Sequence, residues 1–305
     1  MSARTTAQVG RRLRSVKEAG KRDRVGVFAT IVGVLLVLVA VLAPLLPIDN
    51  PTHLFPIAQQ SPSLKHIFGT DELGRDVLSR TVWGARQSLS EAVLGTALAA
   101  LVGVPAGVIA GYFGRWSATA VMRLTDIFLA LPGLLLALVI VTILGAGTTT
   151  VVIALGISFA PILARLAYAP TRAIRERGHI AAARTVGCTR FRIMRRHVLP
   201  ILGTELIVVL SSTIGWALLS ATTLDFLGFG VHPPTPDWGA DLSGGVQYLQ
   251  TAWWISAAPG LAITLTILIA NYAGDFTATM LDPLRMQGEK DKMRDASEMI
   301  AGAEQ

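Results

Sequence analysis

Charge is scarce in this sequence. Of 305 residues, 15% are Asp, Glu, Lys or Arg, where a soluble domain carries about 25%. Hydrophobic residues make up 52%, and the mean hydropathy is +0.54. That deficit excludes an ordinary soluble enzyme and points to a protein that crosses a membrane repeatedly. There is one cysteine, Cys188, so no internal disulfide and no multi-cysteine metal site can form. No Gly-x-x-x-x-Gly-Lys-Ser/Thr string occurs, which removes the usual nucleotide loop. His-Glu-x-x-His and Gly-x-Ser-x-Gly are missing too. The histidines His53, His66, His179, His197 and His232 are scattered over loops without ligand spacing, so no metal site is expected. At depth there are only isolated serines and threonines, which usually bond to their own helix carbonyls. The chain is therefore expected not to catalyse a reaction itself.

Ion-coupled carriers keep ionisable groups near the bilayer centre. Here Glu91, Arg123, Asp126, Arg165, Glu205, Asp225 and Asp275 all fall within roughly two turns of an expected span end. Arg123 and Asp126 are spaced to pair along one helix. A transporter without a coupling ion needs another source of energy, and none is encoded here.

What the chain has is long apolar runs. Residues 25–46 contain no charge and follow a tail, 1–24, with eight Lys/Arg. The run is too long for a cleaved signal and long enough to span a bilayer. Five more candidates follow at 88–112, 120–144, 150–168, 201–224 and 257–279. The expectation is an all-α integral membrane protein with six transmembrane helices. It divides into a tail (1–24), a first span (25–46), an outer segment (47–87), a core of five spans (88–284) and a second tail (285–305). Within the core, residues 169–200 form a charged loop between the fourth and fifth spans.

An even number of spans puts both termini on one side. With the N-terminus inside, 23 Lys/Arg face the cytoplasm and 4 face out. That asymmetry supports cytoplasmic termini and accounts for the net charge of +7 without nucleic acid. Trp253 and Trp254 suit the head-group belt before the last span. Gly103, Gly107 and Gly111, at four-residue spacing, align on one face for close packing, either within the chain or against a partner span. Pro105 and Pro132-Gly133 are positioned to kink their spans.

The loop at 169–200 is too polar for lipid. Residues 179–186 are good helix formers, Gly187 fits a helix stop, and Pro200 suits the first turn of the next helix. Phe191, Ile193 and Met194 are apolar knobs among Arg190, Arg192, Arg195 and Arg196. Two readings fit: a docking surface for a cytoplasmic partner, or a basic helix resting on anionic lipid.

The loop resembles the cytoplasmic signature of permease subunits of bacterial ATP-binding-cassette (ABC) importers. That signature runs Glu-Ala-Ala, three residues, Gly, nine residues, Ile-x-Leu-Pro. Ala182, Ala183, Gly187, Leu199 and Pro200 match, while Ala181 replaces the glutamate and His197 the isoleucine. The string Phe68-Gly69-Thr70-Asp71-Glu72-Leu73-Gly74-Arg75-Asp76 resembles the dipeptide/oligopeptide (nickel-type) branch, C-type subunit. So do Leu129-Ala130-Leu131-Pro132-Gly133 and Pro233-Pro234-Thr235-Pro236-Asp237-Trp238-Gly239. Asp225 stands where that branch more often has serine. The likeness covers about Phe68 to Arg285.

The resemblance implies the type I permease fold, with a coupling helix formed by Ala182, Ala183, Gly187, Arg190, His197, Leu199 and Pro200. It also implies a homologous B-type permease, ATP-binding subunits that hold the ATP and magnesium, an extracytoplasmic binding protein and a peptide substrate. This chain would need no cofactor and would sit in the bacterial plasma membrane. Asp71, Arg75, Asp76, Asp237 and Trp238 are candidates for contact with the binding protein. Asp71–Arg75 and Asp76–Arg80 are also spaced as i,i+4 pairs on a solvated helix. Alternatives are a nickel importer of the same branch, a stand-alone ion-coupled carrier and a membrane scaffold.

Overall fold

The computed structural model describes residues 24–281, so the expected tail at 285–305 and all but Arg24 of the expected tail at 1–24 lie outside the described residues. Among the described residues the chain is helical, with no strand beyond one isolated bridge between Thr70 and Asp76. The helices are α1 (Arg24–Leu42), α2 (Val77–Phe113), α3 (Arg115–Leu129), α4 (Gly133–Leu144) and α5 (Thr148–Arg175). They continue as α6 (Gly178–Thr185), α7 (Arg190–Ile193), α8 (Leu199–Phe226), α9 (Trp238–Gly245) and α10 (Trp254–Leu281).

Five helices are long and apolar enough to cross a membrane, namely α1 with its following turn, α2, α5, α8 and α10. The third expected span, 120–144, is not one helix. α3 and α4 meet at a break, bent by 84°. Pro132, at the N-cap of α4 with ψ 129°, lacks the N–H that would carry a helix through. Whether each helix counts separately or the pair as one, the apolar run at 120–144 is a bent pair.

Helix α2 begins eleven residues before the apolar run that revealed it. Residues 77–87 include Thr81, Arg86 and Gln87, so hydropathy alone misses them. The start is set by Asp76, whose side chain accepts from the Ser79 amide at 2.8 Å. At 37 residues, α2 is about 55 Å long, and its two ends carry different machinery.

The core is built on α2 against α5. Gly103, Gly107 and Gly111 face α5 within this chain. A Cβ on them would lie 2.3 Å from Ala160 O, 2.1 Å from Ala164 O and 2.7 Å from Tyr168 O. The stripe serves internal packing, where the sequence left partner packing open. α8 packs against α2 and α10, and α1 lies against α10 with most of its surface outward. Val25, Phe28, Leu101, Ile127 and Ile143 are exposed apolar side chains, as a lipid-facing or partner-facing surface requires.

One local pairing differs from expectation. Asp126 meets Arg165 of α5 rather than Arg123 of its own helix. The α3–α5 contact brings the two together, and an i,i+3 spacing offers no more than an option.

Candidate functional site

At the C-terminal end of α2 the charged loop folds into a compact helical segment. α5 runs two turns beyond the expected 168, ending with Arg172 and Arg175. α6 follows, then Gly187 at φ +84° with no atom within 4 Å of where a Cβ would stand. That left-handed angle turns the chain, and the Cys188 amide donates back to Ala183 O at 3.0 Å. Thr189 caps α7, accepting from the Arg192 amide at 3.4 Å. A π-helical turn, Met194–Val198, leads into α8.

Three side chains hold this segment down. Ile180, Ile193 and Val198 are fully buried in one cluster with Val108 and Tyr112 of α2, Ala167 and Ile174 of α5, and Leu202 of α8. Arg184 lies 5.8 Å over the Tyr112 ring, and Arg175 Nη1 donates to Tyr112 O at 3.2 Å. The segment is thus keyed into three spans at once. Displacing it would move all three.

The opposite face is open. Ala182 and Arg190 are exposed and Ala183 is half-buried. Val186 is 84% and Phe191 67% exposed. His197 is half-buried and rings with His179 at 6.3 Å. Leu199 and Pro200 are exposed at the start of α8. The coupling residues expected from sequence therefore lie on one continuous stretch, with apolar side chains among arginines. Each buried isoleucine should matter. Ile180→Ala should cost about 2–5 kcal/mol and lower the thermal midpoint in detergent. Cys188, which packs at the edge of the cluster, should then react faster with a maleimide. An unchanged rate would show that Ile180 does not hold the segment.

At the N-terminal end of α2 the structure forms a cap. Asp71 Oδ1 accepts from the amides of Leu73 and Arg75 at 2.9 and 2.8 Å, and Asp71 Oδ2 accepts from Arg75 Nε. Asp76 takes His66 Nδ1 at 2.9 Å. Arg80 pairs with Asp241 and donates to Pro234 O at 3.2 Å. Burial pushes the Asp241 carboxyl up to about 6, against the pull of Arg80. Asp237 caps α9 through the amides of Gly239 and Ala240 and accepts from Ser88 Oγ at 2.7 Å. Trp238 Nε1 donates to Thr81 O at 2.7 Å. Trp254, expected at the head-group belt, is buried and donates to Thr70 O at 3.2 Å, whereas Trp253 is exposed.

These contacts correct two expectations. Asp76 does not pair with Arg80, and residues 69–76 form turns rather than a solvated helix. Asp71, Arg75, Asp76, Asp237 and Trp238 are each at most 6% exposed. Their side chains pin the cap instead of facing outward. Leu73 is exposed and Glu72 half-buried, so these are the side chains of that string a visitor would meet.

Sequence reasoning also missed a group inside the bundle. Glu91 is three residues inside the apolar run that begins at 88, and α2 extends well before that run. The residue lies about four turns inside α2, fully buried, and meets Asp225 of α8 and Asp237. Hydropathy gave no hint, because the residues are 134 and 12 positions apart along the chain.

A bundle of apolar helices, capped at one end and carrying a packed helical segment with one open face at the other, defines a multi-span membrane protein. Residues 103–287 match the family described as "Binding-protein-dependent transport system inner membrane component", and the chain belongs to that family. It is 38% identical over 264 residues to the "Dipeptide transport system permease protein DppC" of Alkalihalophilus pseudofirmus, covering 86% of this chain and 87% of the relative. It is 36% identical over 264 residues to the "Glutathione transport system permease protein GsiD" of Pectobacterium atrosepticum, with 86% and 88% covered. Among solved structures, an inward-facing form of the MetNI methionine ABC transporter aligns at a TM-score of 0.54 and 20% identity. That alignment covers 68% of this chain and 96% of that chain. The fold is that of an ABC importer permease, in a multi-pass membrane protein.

Proposed function

We propose that this chain is the pathway-forming subunit of a peptide importer whose ATP is hydrolysed on separate subunits. The observation that carries the reading is the segment from α6 through the π-helical turn, keyed by Ile180, Ile193 and Val198 into α2, α5 and α8 while its other face is open. An ATP-binding subunit seated on Ala182, Ala183, Val186, Arg190 and Phe191 would push on all three spans together. That is how closure of a nucleotide site outside this chain becomes a change of access inside it. The chain itself hydrolyses nothing and needs no cofactor of its own.

The remaining parts follow from the same reading. A homologous permease would lie beside this one, with peptide passing between them. A binding protein would deliver peptide at the capped end, which faces outward with both termini in the cytoplasm of a bacterial cell. The 23-to-4 distribution of Lys/Arg favours this orientation. Peptide is favoured over nickel because the similar proteins are named for dipeptide and glutathione transport.

Cys188 gives a direct test, being the one cysteine and half-buried beside the docking face. A short thiol-anchored photo-cross-linker on Cys188 should capture an ATP-binding subunit from intact membranes. Labelling of Cys188 only by reagents confined to the outside would overturn the orientation. Peptide uptake into liposomes by the purified chain alone would overturn the dependence on partners.

A further inference from the structure

The three carboxylates of Glu91, Asp225 and Asp237 each offer an oxygen, and these oxygens all lie within 4.8 Å of one another. They come from α2, α8 and the residue that caps α9. All three are closed off from solvent, at 0, 2 and 0% exposure. Gly230 packs so closely that a Cβ there would stand 2.0 Å from Asp225 Oδ1. No lysine, arginine or histidine among the described residues forms an ion pair with any of the three. Arg80, committed to Asp241, acts on Asp237 only at a distance.

The second observation is what these oxygens lack. Both oxygens of Asp225 and Oε2 of Glu91 receive no hydrogen bond from any group outside the cluster; within it, Asp225 lies in hydrogen-bonding reach of the carboxyls of Glu91 and Asp237. A buried polar atom left unpaired is costly, and an unpaired buried charge more so. The other oxygens are held in place by the chain. Gln87 Nε2 donates to Glu91 Oε1 at 2.8 Å, and Ser88 Oγ donates to Asp237 Oδ2 at 2.7 Å. The site thus has fixed outer contacts and inner oxygens that no N–H or cation of the chain reaches, the arrangement expected around a cation.

We infer that Glu91, Asp225 and Asp237 bind a calcium-class cation that fastens the cap onto the spans. An all-oxygen, carboxylate-only donor set selects a hard cation over zinc or copper. The oxygens lie within 4.8 Å of one another, inside the span of a single ion at calcium–oxygen distances of about 2.3–2.6 Å. Such an ion would tie α2 to α8 and both to the start of α9. It compensates negative charge that the chain leaves unpaired. The inference concerns this chain's own assembly and holds whatever substrate is carried.

The test uses the full-length chain, with its co-purifying subunits, in mild detergent after treatment with a calcium chelator. Millimolar calcium should raise the midpoint of thermal unfolding by about 5 °C. Terbium should give luminescence sensitised by Trp238, the neighbour of Asp237, and calcium should quench it by displacement. Dialysis against radioactive calcium should find about one ion per chain. Asp225→Asn and, separately, Glu91→Gln should abolish the shift and the luminescence. No calcium response from the wild-type protein would mean that protons neutralise the cluster, and would overturn the inference. So would a response that persists in both variants. If neither variant folds, the wild-type dialysis decides. Peptide uptake that fails while calcium binding persists would instead count against the transport reading.

Discussion

Gly187→Val should reduce peptide uptake at least ten-fold while the protein accumulates in the membrane at its normal level. The glycine sits at φ +84°, where a Cβ costs about 1–2 kcal/mol and a β-branched side chain more. No atom lies within 4 Å of that Cβ, so the penalty is conformational, with no clash to displace the core. The chain would relieve it by reopening the turn between α6 and α7. That would misplace Val186 relative to Arg190 and Phe191 while the spans stay packed. The controls follow from the same physics. Gly187→Asn, which visits the left-handed region readily, should keep most of the uptake, and Gly187→Ala should fall between. Uptake is to be measured beside an immunoblot of the membrane fraction. Normal uptake by an inserted Gly187→Val protein would refute the docking role.

Gly107→Leu should have the opposite signature, removing the protein itself. A Cβ at Gly107 would stand 2.1 Å from Ala164 O, against an ordinary C···O separation of about 3.3 Å. The obstacle is backbone, so α2 and α5 would have to part by about 1 Å over their closest approach. Overpacking of this kind costs about 1–3 kcal/mol, and the leucine beyond Cβ places the variant at the top of that range. Membrane levels should fall several-fold, with a lower thermal midpoint for whatever survives. Gly107→Ala should show a milder form. Gly203→Ala, where nothing lies within 4 Å, should leave the level unchanged. Equal levels for Gly107→Leu and Gly203→Ala would show that the stripe is not a packing seam.

The two glycines work at different places. Gly107 sits in the seam that makes the bundle. Gly187 sits in the exposed turn between α6 and α7, where the proposed partner would seat. Loss of abundance and loss of transport at full abundance are therefore distinct outcomes.

Much of the segment between α5 and α8 was legible in the sequence. Helix formers over 179–186, a glycine stop and a proline restart are local signals, and the structure realises them as α6, the turn at Gly187 and the entry to α8. The apolar runs were legible for the same reason, since each is a property of consecutive residues. The capped end was legible as motifs but not as roles. Asp71 does pair with Arg75, four residues away. Asp76 turned instead to His66, and Arg80 to Asp241, because a charged side chain pairs with whatever the packing brings near.

The sequence by itself determined that this is a membrane bundle with a basic, helix-forming segment at one end. Hydropathy, charge asymmetry and helix caps act over a few turns at most. Tertiary structure decided that 120–144 bends by 84°, that the glycine stripe faces α5, and that Arg165 reaches Asp126. It also decided that Glu91, Asp225 and Asp237 share one closed space. Their oxygens come within 4.8 Å only because α2, α8 and the cap converge there, and no spacing along the chain encodes that convergence.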